Sequence, residues 1–193
     1  WISSTQARAD VHRLRAGSHA VLTSADTVLA DNPRLNCRDA GQVARQPDRI
    51  VLDRSLRTPA SAQVYSQDGA RRLLFTAATD AAAHAAQGVE VQPLPLAADG
   101  SADLRALMPR LAECGINEVL VESGPRLAGA LLAADCVDEL VVYLAPSLLG
   151  AGARGLADIP GLERLAERVN LRFSDIRMVG PDLRITAAVV RGE

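Results

Sequence analysis

Lysine is absent from this sequence of 193 residues, and all 21 basic residues are arginine. This absence excludes every site that needs a lysine amine, including a P-loop phosphate site, a Schiff base and a pyridoxal-phosphate anchor. Arginine offers instead a planar guanidinium that binds phosphate through two parallel hydrogen bonds. A GC-rich genome is the simpler explanation of the bias, and the chemical exclusion holds either way.

Aromatic residues make up only 3% of the chain, so leucine, valine, isoleucine and alanine must fill the core. The formal net charge of -2 argues against a nucleic-acid-binding surface, which needs concentrated positive charge. The sequence has no apolar run near the roughly 20 residues of a membrane span and no signal-peptide pattern at its start. Its length suits one globular domain with its own core.

Cysteine is scarce too: Cys37, Cys114 and Cys136 are widely spaced and form no C-x-x-C pair. The three histidines show no H-x-x-x-H or H-x-E spacing, so the sequence predicts no metal site. An odd number of isolated cysteines is typical of reduced thiols, which indicates a cytoplasmic protein.

The most informative pattern is an apolar strand that ends at Glu122 and is followed by the turn Ser123-Gly124-Pro125 and an alanine-rich helix. Pro125 suits the first position of a helix, and Gly124 permits a bend and a close approach of a ligand. The N–H groups at the start of such a helix favour an anion such as a diphosphate. A purely structural turn explains the pattern about as well.

Strand and helix patterns alternate along the chain, which predicts a largely parallel sheet covered by helices on both faces. A helix is predicted over residues 5–15, with Ser3 and Ser4 as candidate N-caps. The last two strand patterns, over 171–179 and 183–191, predict an antiparallel hairpin at one side of this sheet. We expect a single domain.

Four segments carry a resemblance to a known family. They are Arg8-Ala-Asp-Val-His-Arg-Leu-Arg15, Thr27-Val-Leu-Ala-Asp-Asn-Pro-Arg-Leu-Asn-Cys-Arg38, Val121-Glu-Ser-Gly-Pro-Arg-Leu-Ala-Gly-Ala130 and Tyr143-Leu-Ala-Pro-Ser-Leu-Leu-Gly150. Together they resemble the reductase domain of bacterial bifunctional riboflavin-biosynthesis enzymes, a relative of dihydrofolate reductase. The resemblance runs nearly end to end, and its most specific parts begin at Thr27 and Gly124.

The resemblance implies an α/β fold of the dihydrofolate-reductase type: a three-layer αβα sandwich with a mostly parallel mixed sheet and a C-terminal antiparallel hairpin. It also implies NADPH-dependent reduction of 5-amino-6-(5-phosphoribosylamino)uracil to the ribitylamino product, and a homodimer. We expect residues 1–193 to be the reductase domain, with the family's first strand and its deaminase domain lying upstream of Trp1.

The resemblance implies cofactor contacts in both of the specific segments. Asp31 is expected to accept a hydrogen bond from a ribose hydroxyl, although an aspartate before Asn32-Pro33 also commonly caps a turn. Arg54 departs from the small hydroxylated residue frequent in the family, and we hypothesise that it binds the 2′-phosphate of NADPH; a solvated surface arginine is the alternative. The residues expected to bind the cofactor are Trp1, Ser3, Thr27, Asp31, Arg54, Gly124, Pro125, Arg126, Leu127, Ala128, Gly129 and Ala130.

The resemblance places Arg15, Leu35, Arg38 and Glu122 at the substrate. Arg15 and Arg38 together suggest a bidentate phosphate clamp, although a cation in the last turn of a helix also compensates its dipole. Glu122 is expected to contact a ribose hydroxyl, and it and Asp31 are the candidate catalytic residues. The sequence singles out no proton donor, and water is an alternative.

Two other functions remain open at this stage. One is reduction of the related 2,5-diamino-pyrimidinone that has not been deaminated, and the other is a non-catalytic nucleotide-binding domain. For the reductase, we expect the glycine turn and the arginine-flanked segment to form opposite walls of one groove for a dinucleotide and a sugar phosphate.

Overall fold

The structure, a computed structural model, describes residues 2–38 and 45–191. The chain divides into two compact units, Trp1–Val11 with Pro125–Glu193, and His12–Gly124. In residues 2–38 and 45–191, no helix combines the length and apolarity needed to cross a bilayer. The expected single domain stays a prediction, and the two units are described one at a time.

The unit His12–Gly124 is built on a five-stranded parallel sheet with the strand order β4-β3-β2-β1-β5. The strands are β1 (Ala20–Ser24), β2 (Asp48–Leu52), β3 (Arg72–Thr76), β4 (Glu90–Pro93) and β5 (Val119–Val121). All four neighbouring pairs run parallel, as the alternation of strand and helix patterns predicted. The carboxyl ends of all the strands therefore lie along one edge.

Helix α1 (Thr5–Gly17), which starts in the other unit, precedes β1. The strands are connected by α2 (Ala25–Asp31), a short 3-10 helix at Gln63–Tyr65, α3 (Ala82–Ala86) and α4 (Leu104–Glu113). Helix α2 begins directly after β1, at Ala25. The last residue of β1, Ser24, caps this helix, since its side chain accepts from the N–H of Thr27. The helix ends where Asn32 adopts a left-handed conformation with φ of 42°.

The core of this unit lies against the sheet. Val21, Val51 and Leu74, from three adjacent strands, form one buried cluster with Val28 of α2 and with the side chain of Leu35. Branched aliphatic side chains fill most of this core, as the shortage of aromatic residues predicted.

Tyr65 is the aromatic exception in the cluster, with only 3% of its surface exposed. Its hydroxyl lies 2.9 Å from Thr58 Oγ1, and Thr58 donates from its N–H and its hydroxyl to the buried carboxylate of Asp53. Burial raises the pKa of Tyr65 to about 12, although the hydrogen bond with Thr58 opposes the shift.

The unit of Trp1–Val11 and Pro125–Glu193 contains a three-stranded antiparallel sheet with the order β6-β8-β7. Its elements are α5 (Pro125–Ala133), β6 (Glu139–Leu144), a 3-10 helix at Leu165–Glu167, β7 (Asn170–Val179) and β8 (Asp182–Val190). The predicted hairpin turns at Gly180, whose φ is 63°. The α/β class is confirmed. The expectation that the hairpin extends the parallel sheet is wrong, since β8 pairs antiparallel with β6 and the hairpin belongs to this second sheet.

A β-bulge in β7 determines which side chains share a face of the antiparallel sheet. The register shifts between Phe173 and Asp175, so Ser174 is an extra residue in β7. Leu171, Phe173, Ile176 and Met178 therefore all point to one face of the sheet, as do their partners on β8, which are Val189, Ala187, Ile185 and Leu183. Large apolar side chains on this face are exposed, among them Phe173 at 61% and Met178 at 61%.

The opposite face of this sheet anchors the start of α1. The Tyr143 hydroxyl donates to Asp10 Oδ2 at 2.7 Å, and Arg184 Nη1 lies 3.1 Å from the same oxygen. Burial, together with the hydrogen bond and charge of Asp10, raises the pKa of Tyr143. Of the two candidate N-caps, Ser3 and Ser4, it is Ser4 whose Oγ accepts from the N–H of Ala7, at 3.1 Å.

We expect the free energy of unfolding to fall as the pH rises from about 10 towards 12, by about 1.4 kcal/mol per pH unit from Tyr65 alone. Its pKa is higher in the folded state than the unfolded value of about 10, so above that pH the unfolded state loses the proton first. Urea unfolding between pH 8 and 12 measures this slope. In Tyr65→Phe the slope should be shallower, and parallel curves for the two proteins would contradict the assignment.

Candidate active site

The predicted site residues of the unit His12–Gly124 follow neighbouring strands of the parallel sheet. Glu122 comes directly after β5, α2 starts after β1, and Arg54 lies two residues after β2. Adjacent strands are about 4.8 Å apart, so the backbones at Glu122 and Arg54 are separated by roughly 10 Å. Ligands of open parallel sheets bind along this edge, where the strands end.

The backbone of Glu122 is fixed by hydrogen bonds to β1. Its N–H donates to the Leu22 carbonyl at 2.9 Å, and its carbonyl accepts from the buried Thr23 hydroxyl at 2.7 Å. The side chain therefore leaves the sheet from a defined position at the end of β5.

The carboxylate of Glu122 forms a two-pronged ion pair with Arg15, in the last turn of α1. Arg15 Nε lies 2.6 Å from Oε1, and Nη2 lies 2.7 Å from Oε2. The side chains are only 12% and 24% exposed. Burial opposes the charge of Arg15, but the hydrogen bond and the negative charge of Glu122 outweigh it and raise the pKa of Arg15. The pair is therefore a fixed feature, with both carboxylate oxygens oriented.

Arg15 also reaches the segment that carries the other predicted substrate residues. Its Nη1 donates to the Asn36 carbonyl at 3.0 Å, between Leu35 and Arg38. All four predicted substrate residues thus belong to one connected region. Arg15 and Arg38 were predicted to clamp a phosphate together. The Arg15 guanidinium instead bonds Glu122 and Asn36, whereas the exposed Arg38 guanidinium has no partner among residues 2–38 and 45–191.

Leu35 occupies an unusual conformation in this segment. Its φ is 53°, in the left-handed region, which costs a non-glycine residue about 1–2 kcal/mol. Its side chain is 3% exposed and belongs to the core cluster. A substrate at this position would therefore meet the backbone around Leu35 rather than its side chain.

The glycine turn meets α2 through Thr27. The Gly124 N–H lies 3.3 Å from Thr27 Oγ1, which lies 3.2 Å from the hydroxyl of Ser24. Two of the segments that carry the resemblance, those that contain Thr27 and Gly124, are therefore in contact, although the groove between them stays a prediction. Gly124 does not use a positive φ, so the expected bend does not require glycine there. A Cβ at Gly124 would find no atom within 4 Å, so the space beside its backbone is open.

Asp31 is the last residue of α2 and is exposed. It lies four residues after Thr27, so the two side chains share one face of the helix. The turn-capping alternative is taken by Asn32, whose N–H donates to the Val28 carbonyl and whose Oδ1 accepts from the N–H of Gln63 at 2.8 Å.

Arg54 is exposed but held in place. Its Nη1 donates to the Gly100 carbonyl at 2.7 Å, and its own carbonyl accepts from the N–H of Ala77 at 3.1 Å. The guanidinium carries five N–H donors, so one contact to a carbonyl leaves donors for an anion at this end of the edge.

The other unit contributes the helix that follows the turn. Helix α5 begins at Pro125, as the sequence predicted. Arg126 and Ala130, both predicted to bind the cofactor, line a depression of about 240 Å³ together with Asp158 and Pro160. The N–H of Asp158 donates to the Pro125 carbonyl at 2.9 Å, which ties the loop to the first turn of the helix.

Gly129 explains this close approach. A Cβ at this position would lie 1.8 Å from the carbonyl oxygen of Asp158 and 2.2 Å from its carbonyl carbon. Glycine is therefore required here for packing against the loop, a reason the sequence did not show. Ser3, in the same unit, is half-buried and accepts from Arg8 Nη1 at 2.5 Å through its carbonyl. Trp1 lies outside the described residues.

Sequence reasoning assigned no role to Gln46, Arg49 or Asp68, all of which contact the region of residues 34–38. Arg49 lies inside the strand Asp48-Arg-Ile-Val-Leu52. Two charged residues, Asp48 and Arg49, at the start of an otherwise apolar strand are the signal that could have identified it.

Comparison with known proteins adds to this geometry. A family model described as the RibD C-terminal domain matches residues 1–185. The chain is 44% identical over 194 residues to the riboflavin biosynthesis protein RibD of Escherichia coli (strain K12), covering 95% of this chain and 52% of that protein. It is 29% identical to the 5-amino-6-(5-phosphoribosylamino)uracil reductase of Buchnera aphidicola, covering 96% of this chain and 93% of that protein.

Among solved structures, Acinetobacter baumannii RibD (form 2) matches with a TM-score of 0.86 and 30% identity. The match covers 98% of this chain and 52% of that one. The chain spans about half the length of the first curated relatives it matches.

Removing either partner of the Arg15–Glu122 pair should destabilise the fold, and a double-mutant cycle of Arg15→Met and Glu122→Gln should give a coupling of about 1.5–3 kcal/mol. Charge-assisted bonds with little exposure are worth more than surface pairs. Urea unfolding of the single and double variants measures the coupling. The exposed pair Arg110–Glu113 is the matched control, for which we expect about 0.3–0.5 kcal/mol. Equal couplings would contradict the importance given to the Arg15–Glu122 pair.

Proposed function

The chain belongs to the RibD C-terminal domain family, and from this membership we propose that it catalyses the NADPH-dependent reduction of 5-amino-6-(5-phosphoribosylamino)uracil to the ribitylamino product. The observation that carries the proposal is the Arg15–Glu122 pair, linked to residues 34–38 at the carboxyl edge of the parallel sheet. The name of the Buchnera relative, which this chain matches over 93% of that protein's length, supports the same reaction.

The residues around the glycine turn fit a dinucleotide. The open space beside the backbone of Gly124 accommodates a close approach, and Thr27 and Asp31 present a hydroxyl and a carboxylate on one face of α2. We assign the diphosphate to residues 124–130 and a ribose hydroxyl to Asp31. When bound, NADPH supplies the hydride, and the protein supplies orientation and electrostatics.

The substrate residues have separate roles in this proposal. Arg38, with its exposed guanidinium, binds the 5-phosphate of the ribosyl group. Glu122 accepts a hydrogen bond from a ribosyl hydroxyl, and Arg15 holds the carboxylate in the orientation that this bond requires. Residues 34–38 present their backbone beside the sugar.

The proposal predicts that the protein oxidises NADPH in the presence of the phosphoribosylaminouracil, followed at the nicotinamide absorbance band. Glu122→Gln should lower kcat/KM for this substrate by about 10–100-fold, because misplacing a bound substrate by about 1 Å has effects of that size. Glu113→Gln, on the exposed surface of α4, is the control and should leave kcat/KM unchanged.

The same assay separates the alternatives. Faster turnover of the non-deaminated 2,5-diamino-pyrimidinone would replace the proposed substrate by that one. Binding of NADPH without oxidation in the presence of either pyrimidine would contradict the reductase and leave a non-catalytic nucleotide-binding domain.

We assign the 2′-phosphate of NADPH to Arg54. Arg54→Ala should reduce the preference for NADPH over NADH by about 10–150-fold, the range expected when a charge-assisted contact is lost. The measurement is the ratio of kcat/KM for the two cofactors. Arg57→Ala is the matched control, since Arg57 lies nearby in sequence and pairs with Asp26 at 2.7 Å on the surface. An unchanged ratio in Arg54→Ala would refute the assignment.

We further propose that the protein is a homodimer that buries the apolar face of the antiparallel sheet against a second copy. Because of the bulge at Ser174, four large apolar side chains lie on this face and are exposed: Leu171, Phe173, Ile176 and Met178. Clusters of exposed apolar side chains mark interaction sites. An isologous contact needs only one self-complementary patch, and a face with four exposed large apolar side chains meets that need.

Phe173→Asp should convert this dimer into a monomer, because the interface would then bury an unpaired charge. Light scattering coupled to size-exclusion chromatography measures the mass in solution. Arg172→Asp, at the neighbouring position on the opposite face of β7, is the control and should stay dimeric. A monomeric wild-type protein would overturn the proposal. The upstream deaminase domain stays a prediction from the resemblance, and the cytoplasmic location stays a prediction from the cysteine pattern.

A further inference from the structure

The segment of residues 34–38 is held by side chains. In the part of the chain that the structure describes, it takes part in no backbone–backbone hydrogen bond. The Asn36 carbonyl accepts from Arg15, and Gln46 bonds both the N–H and the carbonyl of Cys37, at 2.8 and 2.9 Å. The Arg34 carbonyl accepts from Arg49 Nη1 at 3.3 Å. The shape of this segment therefore depends on a few distant residues.

Arg49 is the most buried of these residues. It lies on β2, and its side chain is 1% exposed. Its Nη2 donates to the Ser66 carbonyl at 2.8 Å and to Asp68 Oδ1 at 2.5 Å. Burial lowers the pKa of the Arg49 guanidinium, against the opposing charges of Asp68 and Asp48. A charge this deeply buried must be paired and hydrogen-bonded, and these contacts meet that need.

Asp68 extends the contacts of Arg49 to the middle of the segment. Its Oδ2 accepts from Asn36 Nδ2 at 3.4 Å. Because the Asn36 carbonyl bonds Arg15, which bonds Glu122, hydrogen bonds run without interruption from the buried Arg49 to the end of β5. Leu35 keeps its left-handed conformation between the two ends of this network, and strained residues persist only where their surroundings over-determine them.

We propose that Arg49, paired with Asp68, is a positioning residue for the substrate. It fixes residues 34–38 in the conformation that places the Arg38 guanidinium and the backbone at Leu35 against the phosphoribosyl group and keeps Arg15 oriented towards Glu122. The inference rests on the proposed function and deepens it, because it assigns recognition of the sugar phosphate to a residue that does not itself touch the substrate.

Arg49→Met tests the inference in the full protein. It should raise KM for the phosphoribosyl substrate by about 10–100-fold, and KM for NADPH should change by less than about twofold, within the scatter of a surface change. Arg72→Met is the matched control. Arg72, on β3, also donates to backbone carbonyls, of Tyr65 at 3.1 Å and Gly88 at 3.0 Å, but among the residues that the structure describes it has no hydrogen bond to residues 34–38. It should lower Tm without changing either KM.

A milder variant covers the case in which Arg49→Met does not fold. Asn36→Ala removes one hydrogen bond to Asp68 at a half-buried position and should raise KM for the substrate by about 2–10-fold. Hydrogen exchange measured by mass spectrometry gives a readout that needs no activity. Exchange of the amides of residues 34–38 should be faster in Arg49→Met or Asn36→Ala than in wild type, and unchanged in Arg72→Met.

The outcomes separate this inference from the proposed function. A wild-type protein that does not oxidise NADPH with the substrate refutes the function, and exchange at residues 34–38 then still decides whether Arg49 fixes the segment. An active wild type whose Arg49→Met and Asn36→Ala variants keep the wild-type KM for the substrate overturns the inference. Equal effects of Arg49→Met and Arg72→Met on KM and on exchange also overturn it, since they would show a general loss of stability.

Discussion

The ion pair between Arg15 and Glu122 is the contact on which the candidate site depends. Two charges with little exposure are stable together only if their geometry is good and their remaining donors are satisfied. Both conditions hold, because the two groups share a pair of short hydrogen bonds and Arg15 also bonds the Asn36 carbonyl. These bonds fix the end of α1, the end of β5 and residues 34–38 relative to one another. The chemistry proposed for this site requires that arrangement.

The sequence predicted most of the fold because its periodic patterns are local. Alternating apolar runs located the parallel strands, and Pro125 located the start of α5. The pairing of the hairpin with β6 was not predictable in this way, since a strand pattern does not state its neighbour. The extra residue at Ser174 was also hidden, because a bulge becomes visible only when two strands are aligned.

In the candidate site, too, some residues were predictable from the sequence and others were not. Residues named by the resemblance, such as Thr27 and Gly124, meet in the structure, but their supports were missed because they act through long-range contacts to irregular backbone. Arg49 contacts residues that are 15 to 19 positions away in sequence. Gly124 and Gly129 looked alike in sequence, and only the position of the Asp158 carbonyl shows that packing requires the second.

The single additional residue in β7 has a consequence for how this surface can change. Phe173 and Asp175 pair with consecutive residues of β8, Ala187 and Thr186, so removal of Ser174 would leave a regular ladder with the other side chains of β7 on their present faces. If Ser174 were instead paired within a regular ladder, Asp175 and Arg177 would turn to the side now occupied by Ile176 and Met178. The polarity of this surface therefore depends on Ser174 staying outside the ladder, and a lineage can lose this one residue and still keep the apolar face.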